Sequence, residues 1–274
     1  MTAPRLGDEV VSGFRSDGVT CIRGLLDPSA VATATRGIED ALARPSARAI
    51  EASGPDDPGR FVEDFCRWGD IAAIGELAHH PAVVSAAAQL MDATEVRLFH
   101  DHVLVKEPGT TQRTPWHQDQ PYYNVAGHQT VSFWIPVDPV PVDGSLEVVA
   151  GTHLGPWLLP RRFLDDEARW FPEGSLAELP DIEADRGAFA IRSWALEPGD
   201  AVAFHFLSVH GAAGFRGPGR RRVLSLRYVG DDARHAPRQW ATSPEFPGLV
   251  DELADGAPLD HPAFPVVWPL SAGS

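Results

Sequence analysis

The chain has 274 residues, and 43% of them are apolar, which is enough for a buried core and unlike a disordered protein. The 38 acidic residues outnumber the 23 basic ones, and the formal charge of −15 disfavours nucleic acid and anionic membrane surfaces as partners. Length alone admits one large domain or two small ones. Because no repeat and no flexible linker is visible, we predict a single domain over residues 1–274.

Cysteine content and the absence of targeting signals suggest where the protein resides. Cys21 and Cys66 are the two cysteines, and neither belongs to a CxxC pair, so a reducing cytoplasm is the simplest setting. The N-terminus lacks the apolar core of a signal peptide. No run approaches the ~18 apolar residues of a membrane span. We therefore expect a cytoplasmic protein.

The first part of the chain, about residues 1–95, is predicted to be mainly helical. An Asp-Gly turn signal separates a short helix from a strand. Asp27 followed by Pro28 is typical of a helix N-terminus. A second helical region is expected to break near His80-Pro81, because proline disfavours helix at the residue before it. The predicted elements are a strand at 19–22, a helix to about residue 42, a loop at 43–59 and the broken helix at 71–91.

After Met91 the pattern becomes that of short strands separated by Pro- and Gly-rich turns. The predicted strands lie at 96–106, 130–135, 145–149, 191–196, 201–206 and 223–229. Several short strands after a helical start predict a mainly β fold, a sandwich or barrel with flanking helices, whose core covers about residues 96–235. The long irregular stretch at about 151–185 is interpreted as a lid-like insertion over a pocket.

One short segment, from Thr114 to Pro121, contains the strongest chemical signal. In an extended chain residues i and i+2 project to the same side, so His117 and Asp119 can converge on one point. An imidazole nitrogen and a carboxylate oxygen with open positions left over suit a divalent transition metal such as iron. A third protein ligand is needed from elsewhere in the chain.

Two of the eleven histidines compete for the place of third ligand. His205 lies inside an apolar alternation, where a buried structural histidine is the usual finding. His210 follows the same strand and has small residues on its far side, which leave room for a cosubstrate. The run 220–222 holds three arginines, so one guanidinium can point into the same cavity and bind a carboxylate through two hydrogen bonds. The other two are expected in a solvated turn.

These residues, taken in order, resemble the phytanoyl-CoA dioxygenase (PhyH) family of Fe(II)- and 2-oxoglutarate-dependent oxygenases. The likeness covers roughly residues 10–235 and extends past the metal ligands to several motifs. Those motifs are Lys106–Gly109, Pro115–Asp119, Phe133–Asp138, Gly144–His153 and Gly199–His205. The resemblance implies a double-stranded β-helix, also called a jelly roll, which is the cupin-like form of the predicted fold.

The resemblance also implies roles for individual residues. His117, Asp119 and His210 would hold Fe(II), which leaves His205 structural, and Arg221 would bind the distal carboxylate of 2-oxoglutarate. Further positions match the cosubstrate pocket of the family; they are Trp134, Leu104, His102 and Gln118.

Four more positions have open or altered roles. Arg227 lies on the same strand face as Arg221 by parity, so it is the alternative carboxylate partner or a substrate contact. Tyr122 and Tyr123 could face the cosubstrate or substrate, or could be aromatic packing. The family often has Ser or Thr where this chain has Ala212, so one hydrogen bond to the cosubstrate would be missing or supplied elsewhere.

The expected activity is oxidation of an unactivated C–H bond of a small metabolite or natural-product intermediate, by hydroxylation or a related reaction, with 2-oxoglutarate and O2 consumed and succinate and CO2 released. Halogenation is disfavoured because Asp119 occupies the position that a halide would need. One alternative is a cupin-type non-redox metalloenzyme, an isomerase or hydrolase, which would leave Arg221 unexplained. Another is a non-catalytic ligand-binding jelly roll, which the intact ligand set argues against. The sequence does not identify the substrate or the oligomeric state.

Overall fold

The computed structural model describes residues 5–160, 176–215, 217, 219–238 and 242–270. The helices are α1 (Asp8–Asp17), α2 (Pro28–Ala43), α3 (Ala72–Ala78), α4 (Pro81–Met91) and α5 (Leu249–Glu252). The strands are β1 (Val19–Ile22), β2 (Ile50–Glu51), β3 (Phe61–Phe65), β4 (Val96–Lys106), β5 (Thr114–His117), β6 (Val125–Ala126), β7 (Thr130–Pro136), β8 (Leu146–Val149), β9 (Ile191–Arg192), β10 (Ala201–Phe204), β11 (His210–Ala212), β12 (Arg221–Val229), β13 (Arg234–His235) and β14 (Val266–Trp268). Within the predicted lid-like insertion at 151–185, residues 161–175 lie outside the described residues.

The helix boundaries follow the local signals in the sequence. The carboxylate of Asp27 accepts a hydrogen bond from the backbone N–H of Ala30 at 2.8 Å, and Pro28 is the first residue of α2. The predicted break at His80-Pro81 is confirmed, since α3 ends before it and α4 begins at the proline. Gly18 ends α1 in the left-handed region, at φ 72°, where a side chain would be strained.

Two antiparallel sheets form the body of the protein. The larger has the order β1-β10-β7-β12-β4-β3-β2, with β14 also on β4, and the smaller has the order β5-β11-β8-β9. The eight strands β4, β5 and β7–β12 divide equally between the sheets, with β10-β7-β12-β4 facing β5-β11-β8-β9. This strand order is that of a jelly roll, so the predicted double-stranded β-helix is confirmed.

The larger sheet is covered on both faces. Its inward-facing side chains, such as Trp134 and Val223, pack against Leu146 and Val148 of the smaller sheet. Alternate residues of the same strands face the helices on the outer side, as period-two alternation requires. That outer cluster joins residues of α1–α4 to the sheet, including Phe14, Ile38, Leu77, Val83, Phe133, Leu224 and Leu226. Mainly β structure with flanking helices is therefore the observed class.

The structure departs from the expected elements in several places. The strand predicted at 191–196 is limited to Ile191–Arg192, because the 3₁₀ turn at Val142–Gly144 interrupts its partner, and Leu196 instead pairs with Val140. The strands β2 and β3 were not predicted, and β3 contains two acidic residues of the kind that strands usually lack. Among the described residues, no helix has both the length and the apolar character needed to cross a membrane.

Candidate metal centre

The smaller sheet places two histidines side by side. His117 ends β5 and His210 begins β11, and the two are direct cross-strand partners. Their side chains therefore project from the same face, with ring centroids 4.2 Å apart. Asp119 follows in the turn after β5, where its Oδ1 lies 3.6 Å from Nε2 of His117 and 3.8 Å from Nε2 of His210. All three donor atoms lie within 4.8 Å of one another, so the group could hold a metal ion.

Both imidazoles are oriented by the backbone. Nδ1 of His117 donates to the carbonyl of Pro115 at 2.8 Å, and Nδ1 of His210 donates to the carbonyl of Ser208 at 2.9 Å. Each bond places a ring proton on Nδ1, so the lone pair of Nε2 can act as a metal ligand. Burial, with a smaller contribution from His117, lowers the pKa of His210 to about 3, so its ring is neutral at pH 7.

Asp119 is held as a buried carboxylate. Burial by itself would raise its pKa, but the charge of Arg227 and the proximity of His210 outweigh that effect and place the pKa well below its usual range. Ser132 donates to Oδ2 at 3.2 Å, and Nε of Arg227 lies 3.4 Å from the same oxygen. Oδ1, the other oxygen, faces the two histidines.

A cavity of about 140 Å³ lies between the two sheets beside this group. It is smaller than the ~300–1,000 Å³ of typical drug-sized ligand sites, so it suits a small molecule. Of the residues predicted to line a cosubstrate pocket, the cavity contains Arg221, Trp134, Leu104 and His102. Tyr122 and Tyr123 also line it, and Ala212 lies on its wall.

Arg221 is a buried cation without a carboxylate partner among the described residues. Nη1 donates to the carbonyl of Gly144 at 2.6 Å, while Nε is buried with no hydrogen-bond partner there. The guanidinium lies 5.5 Å from the ring centroid of Trp134. Burial lowers its pKa to about 10, and no neighbouring acid offsets that cost. A cationic end of the cavity is thus available to an anion.

The other two arginines of the run pair with acidic residues. Arg222 binds Asp138 and Glu39, and Arg220 binds Glu39 and Glu107, so both are half-buried ion-pair partners rather than members of a solvated turn.

The structure does not place Gln118 in the cavity. Its amide nitrogen donates to the carbonyls of Leu207 at 2.9 Å and Pro156 at 3.2 Å, and its oxygen accepts from the N–H of Leu158 at 2.8 Å. Neighbouring residues of an extended segment point to opposite sides, so Gln118 turns away where His117 turns in. The expected contact between Gln118 and the cosubstrate is therefore not seen. Gln118 instead links the turn after β5 to the segment that follows residue 155.

His205 has the structural environment that was expected of it. Nε2 donates to the carbonyl of His128 at 2.8 Å, and Nδ1 accepts from the N–H of Leu207 at 3.0 Å. With both nitrogens bound to backbone groups, the ring has no nitrogen to offer a metal.

Sequence reasoning missed two cavity residues on β3, Glu63 and Phe65. Glu63 lies beside His102, and Phe65 stacks on the same imidazole. An acidic residue inside the run from Phe61 to Phe65 was the available signal, because a carboxylate within an apolar strand is costly unless it has a partner.

Comparison with known proteins places the chain in a family. The sequence model of the phytanoyl-CoA dioxygenase (PhyH) family matches residues 14–223. This chain belongs to the phytanoyl-CoA dioxygenase family. A Caenorhabditis elegans protein described as a probable phytanoyl-CoA dioxygenase is 28% identical over 182 residues, which is 62% of this chain and 54% of that protein. The chain spans about half the length of the curated relatives it matches.

Two solved structures share the fold. The non-heme alpha ketoglutarate dependent epimerase SnoN of nogalamycin biosynthesis superposes with a TM-score of 0.75 at 24% identity, over 95% of this chain and 97% of that one. The carbocyclase SnoK of the same pathway also gives 0.75 at 24% identity, over 97% and 98% of the two chains. These likenesses support the jelly-roll assignment.

Proposed function

We propose that this PhyH-family chain is an Fe(II)- and 2-oxoglutarate-dependent dioxygenase. The observation that supports this most is a cavity with His117, Asp119 and His210 on one wall and Arg221, which has no carboxylate partner among the described residues, on another. Two imidazole nitrogens and one carboxylate that leave open positions suit Fe(II). An unpaired arginine fork suits the distal carboxylate of 2-oxoglutarate.

The residues have distinct tasks in this proposal. His117, Asp119 and His210 would hold Fe(II), and Arg221 would fix the far end of 2-oxoglutarate. Trp134 and Leu104 form apolar walls that exclude water from the space between them, as the predicted lining role requires. When bound, iron and 2-oxoglutarate supply the O2-dependent oxidation of a C–H bond, with release of succinate and CO2.

The substrate we propose is a small metabolite or natural-product intermediate, hydroxylated or otherwise oxidised at an unactivated carbon. SnoN and SnoK are named as an epimerase and a carbocyclase, so one fold serves different outcomes. We further propose that the chain acts as one domain in the cytoplasm. A non-redox isomerase or hydrolase does not explain a buried arginine that lacks a carboxylate partner among the described residues. A passive ligand-binding jelly roll does not explain the intact group of His117, Asp119 and His210.

Anaerobic reconstitution tests the proposal. Protein purified without metal is loaded with Fe(II) and 2-oxoglutarate under nitrogen, and O2 is then admitted while succinate is measured. We expect succinate to form only when Fe(II), 2-oxoglutarate and O2 are all present, with Zn(II) as the inactive control. Succinate formation that does not require O2 would contradict the proposal. So would a failure to form succinate with every metabolite of a screening panel.

A further inference from the structure

Glu63 and His102 form a buried pair in the cavity that neither the metal group nor Arg221 uses. Nε2 of His102 lies 3.1 Å from Oε1 of Glu63, and the two side chains are only 8% and 12% exposed. The imidazole stacks on Phe65, with ring centroids 3.9 Å apart and planes inclined by 21°. The ring orientation is therefore restricted by packing as well as by the carboxylate.

Strand register places this pair on its own side of the cavity. Ser225 of β12 is flanked by Trp134 on β7 and by His102 on β4, and Phe65 on β3 is the next residue across. With ~4.8 Å between neighbouring strands, Phe65 lies roughly 14 Å from Trp134 across the sheet. Glu63 is beside Leu104 in the adjacent row. Trp134 and the Glu63–His102 pair thus lie on opposite sides of β12.

The same side is where the cavity reaches the protein surface. Ile50 of β2 is the direct partner of Glu63, lines the cavity and is 49% exposed. β2 is the last strand of the larger sheet on this side. A molecule that enters at this edge passes Ile50 and then Glu63 before it reaches His117 and Asp119.

The chemistry of the pair selects what can bind there. Burial lowers the pKa of His102, so the ring is neutral at pH 7. Nε2 lies 3.1 Å from Oε1 of Glu63, but neither ring nitrogen makes a hydrogen bond with the described residues. The carboxylate of Glu63 and the ring nitrogen of His102 that carries no proton are both hydrogen-bond acceptors. Among the described residues no lysine or arginine pairs with Glu63. The pair therefore complements a hydrogen-bond donor.

We propose that Glu63, supported by His102, is the specificity-determining contact for a hydroxyl or ammonium group of the primary substrate. The inference rests on the proposed dioxygenase function and specifies the substrate side of the same cavity. Phe65 and Ile50 supply the apolar surface for the carbon skeleton that carries this group. His102 is then a positioning residue that orients the Glu63 carboxylate, not a cosubstrate ligand.

The test compares Glu63→Gln, which keeps the size of the side chain and removes its charge, with Glu107→Gln as a matched control. Glu107 pairs with Arg220 outside the cavity. The probes are cyclic alcohols and cyclic amines, each with a donor-free methyl ether or hydrocarbon analogue. Binding is read anaerobically from the change that each probe causes in the visible charge-transfer band of the Fe(II)–2-oxoglutarate complex.

We expect donor-bearing probes to bind the parent protein and the control, and to bind Glu63→Gln about ten- to a hundredfold more weakly. The charge-transfer band itself and the affinity for 2-oxoglutarate should be the same in all three proteins. The inference is overturned if the donor-free analogues bind the parent protein as tightly as the donor-bearing probes, or if no donor-bearing probe binds. It is also overturned if Glu63→Gln binds the donor-bearing probes with the same affinity as the parent protein. Absence of the band from the parent protein instead rejects the proposed function, so the two failures are distinguishable.

Discussion

Nε of Arg227 lies 3.4 Å from Oδ2 of Asp119, and both side chains are buried. Nη1 of the same arginine lies 3.1 Å from the hydroxyl of Ser225, which fixes the guanidinium on β12. Oδ2 is thereby engaged by the larger sheet, while Oδ1 remains directed at His117 and His210. Arg227 already has a carboxylate partner in the protein, so it is poorly suited to the alternative role of binding 2-oxoglutarate.

Replacing Arg227 with Met should weaken metal binding. Groups that orient a metal ligand typically contribute 10–100-fold to metal affinity, so we expect a loss of about that size for Fe(II). The measurement is anaerobic competition with a coloured chelator, and Arg222→Met serves as the control because that arginine pairs with Asp138 and Glu39 away from the cavity. Unchanged Fe(II) affinity in a folded Arg227→Met protein would show that Asp119 needs no such support.

Arg221→Lys should separate charge from geometry at the other end of the cavity. Lysine keeps the positive charge but cannot bind a carboxylate with a planar fork. We expect the KM for 2-oxoglutarate to rise about tenfold or more while Fe(II) affinity is retained. If KM is unaffected in both Arg221→Lys and Arg221→Met, the cosubstrate carboxylate binds elsewhere.

Ala212→Ser should improve cosubstrate binding. Ala212 lies on the cavity wall two residues after His210. An added hydroxyl can donate one hydrogen bond to the cosubstrate carboxylate, which contributes about 0.5–1.5 kcal/mol. The expected result is a two- to tenfold lower KM for 2-oxoglutarate by that estimate. Ala213→Ser is the neighbouring control, and a raised KM in Ala212→Ser alone would mean that the cavity has no room for the hydroxyl.

His205 should make the folded state sensitive to acid. Burial lowers its pKa from an ordinary 6.5 to about 4. Between those two values the unfolded chain binds a proton that the folded chain excludes, so stability falls as pH drops through this window. Removing one such group should reduce the slope of unfolding free energy against pH by up to about 1.4 kcal/mol per pH unit. Chemical denaturation of His205→Gln from pH 4 to pH 6.5 measures this, with the exposed His79→Gln as control; identical slopes would contradict it.

Features governed by local pattern were predictable from the sequence. β4 covers the predicted range 96–106 because its period-two alternation is long and ends at a Pro-Gly turn. His117 and Asp119 converge because they are two residues apart, at the end of β5 and in the turn that follows it. Their meeting with His210, which is distant in sequence, was indicated only by the ordered motifs of the PhyH family.

Features that depend on distant partners were not predictable. The direction of Gln118 is set by Leu207, which lies 89 residues away in sequence. β3 is short and carries charge, so only its pairing with β4 makes it a strand, and Glu63 was missed with it. His102 lines the cavity, and the strand register places it on the other side of β12 from Trp134, which the sequence alone did not indicate.

The most direct test of the metal centre is an anaerobic Fe(II) titration of the parent protein and Asp119→Ala in the presence of 2-oxoglutarate. We expect one Fe(II) per chain with a visible charge-transfer band in the parent protein, followed by succinate formation when O2 is admitted. In Asp119→Ala we expect loss of the carboxylate ligand and of most turnover. Full Fe(II) binding, an unchanged band and full succinate formation in Asp119→Ala would contradict the assignment of His117, Asp119 and His210 as the iron site.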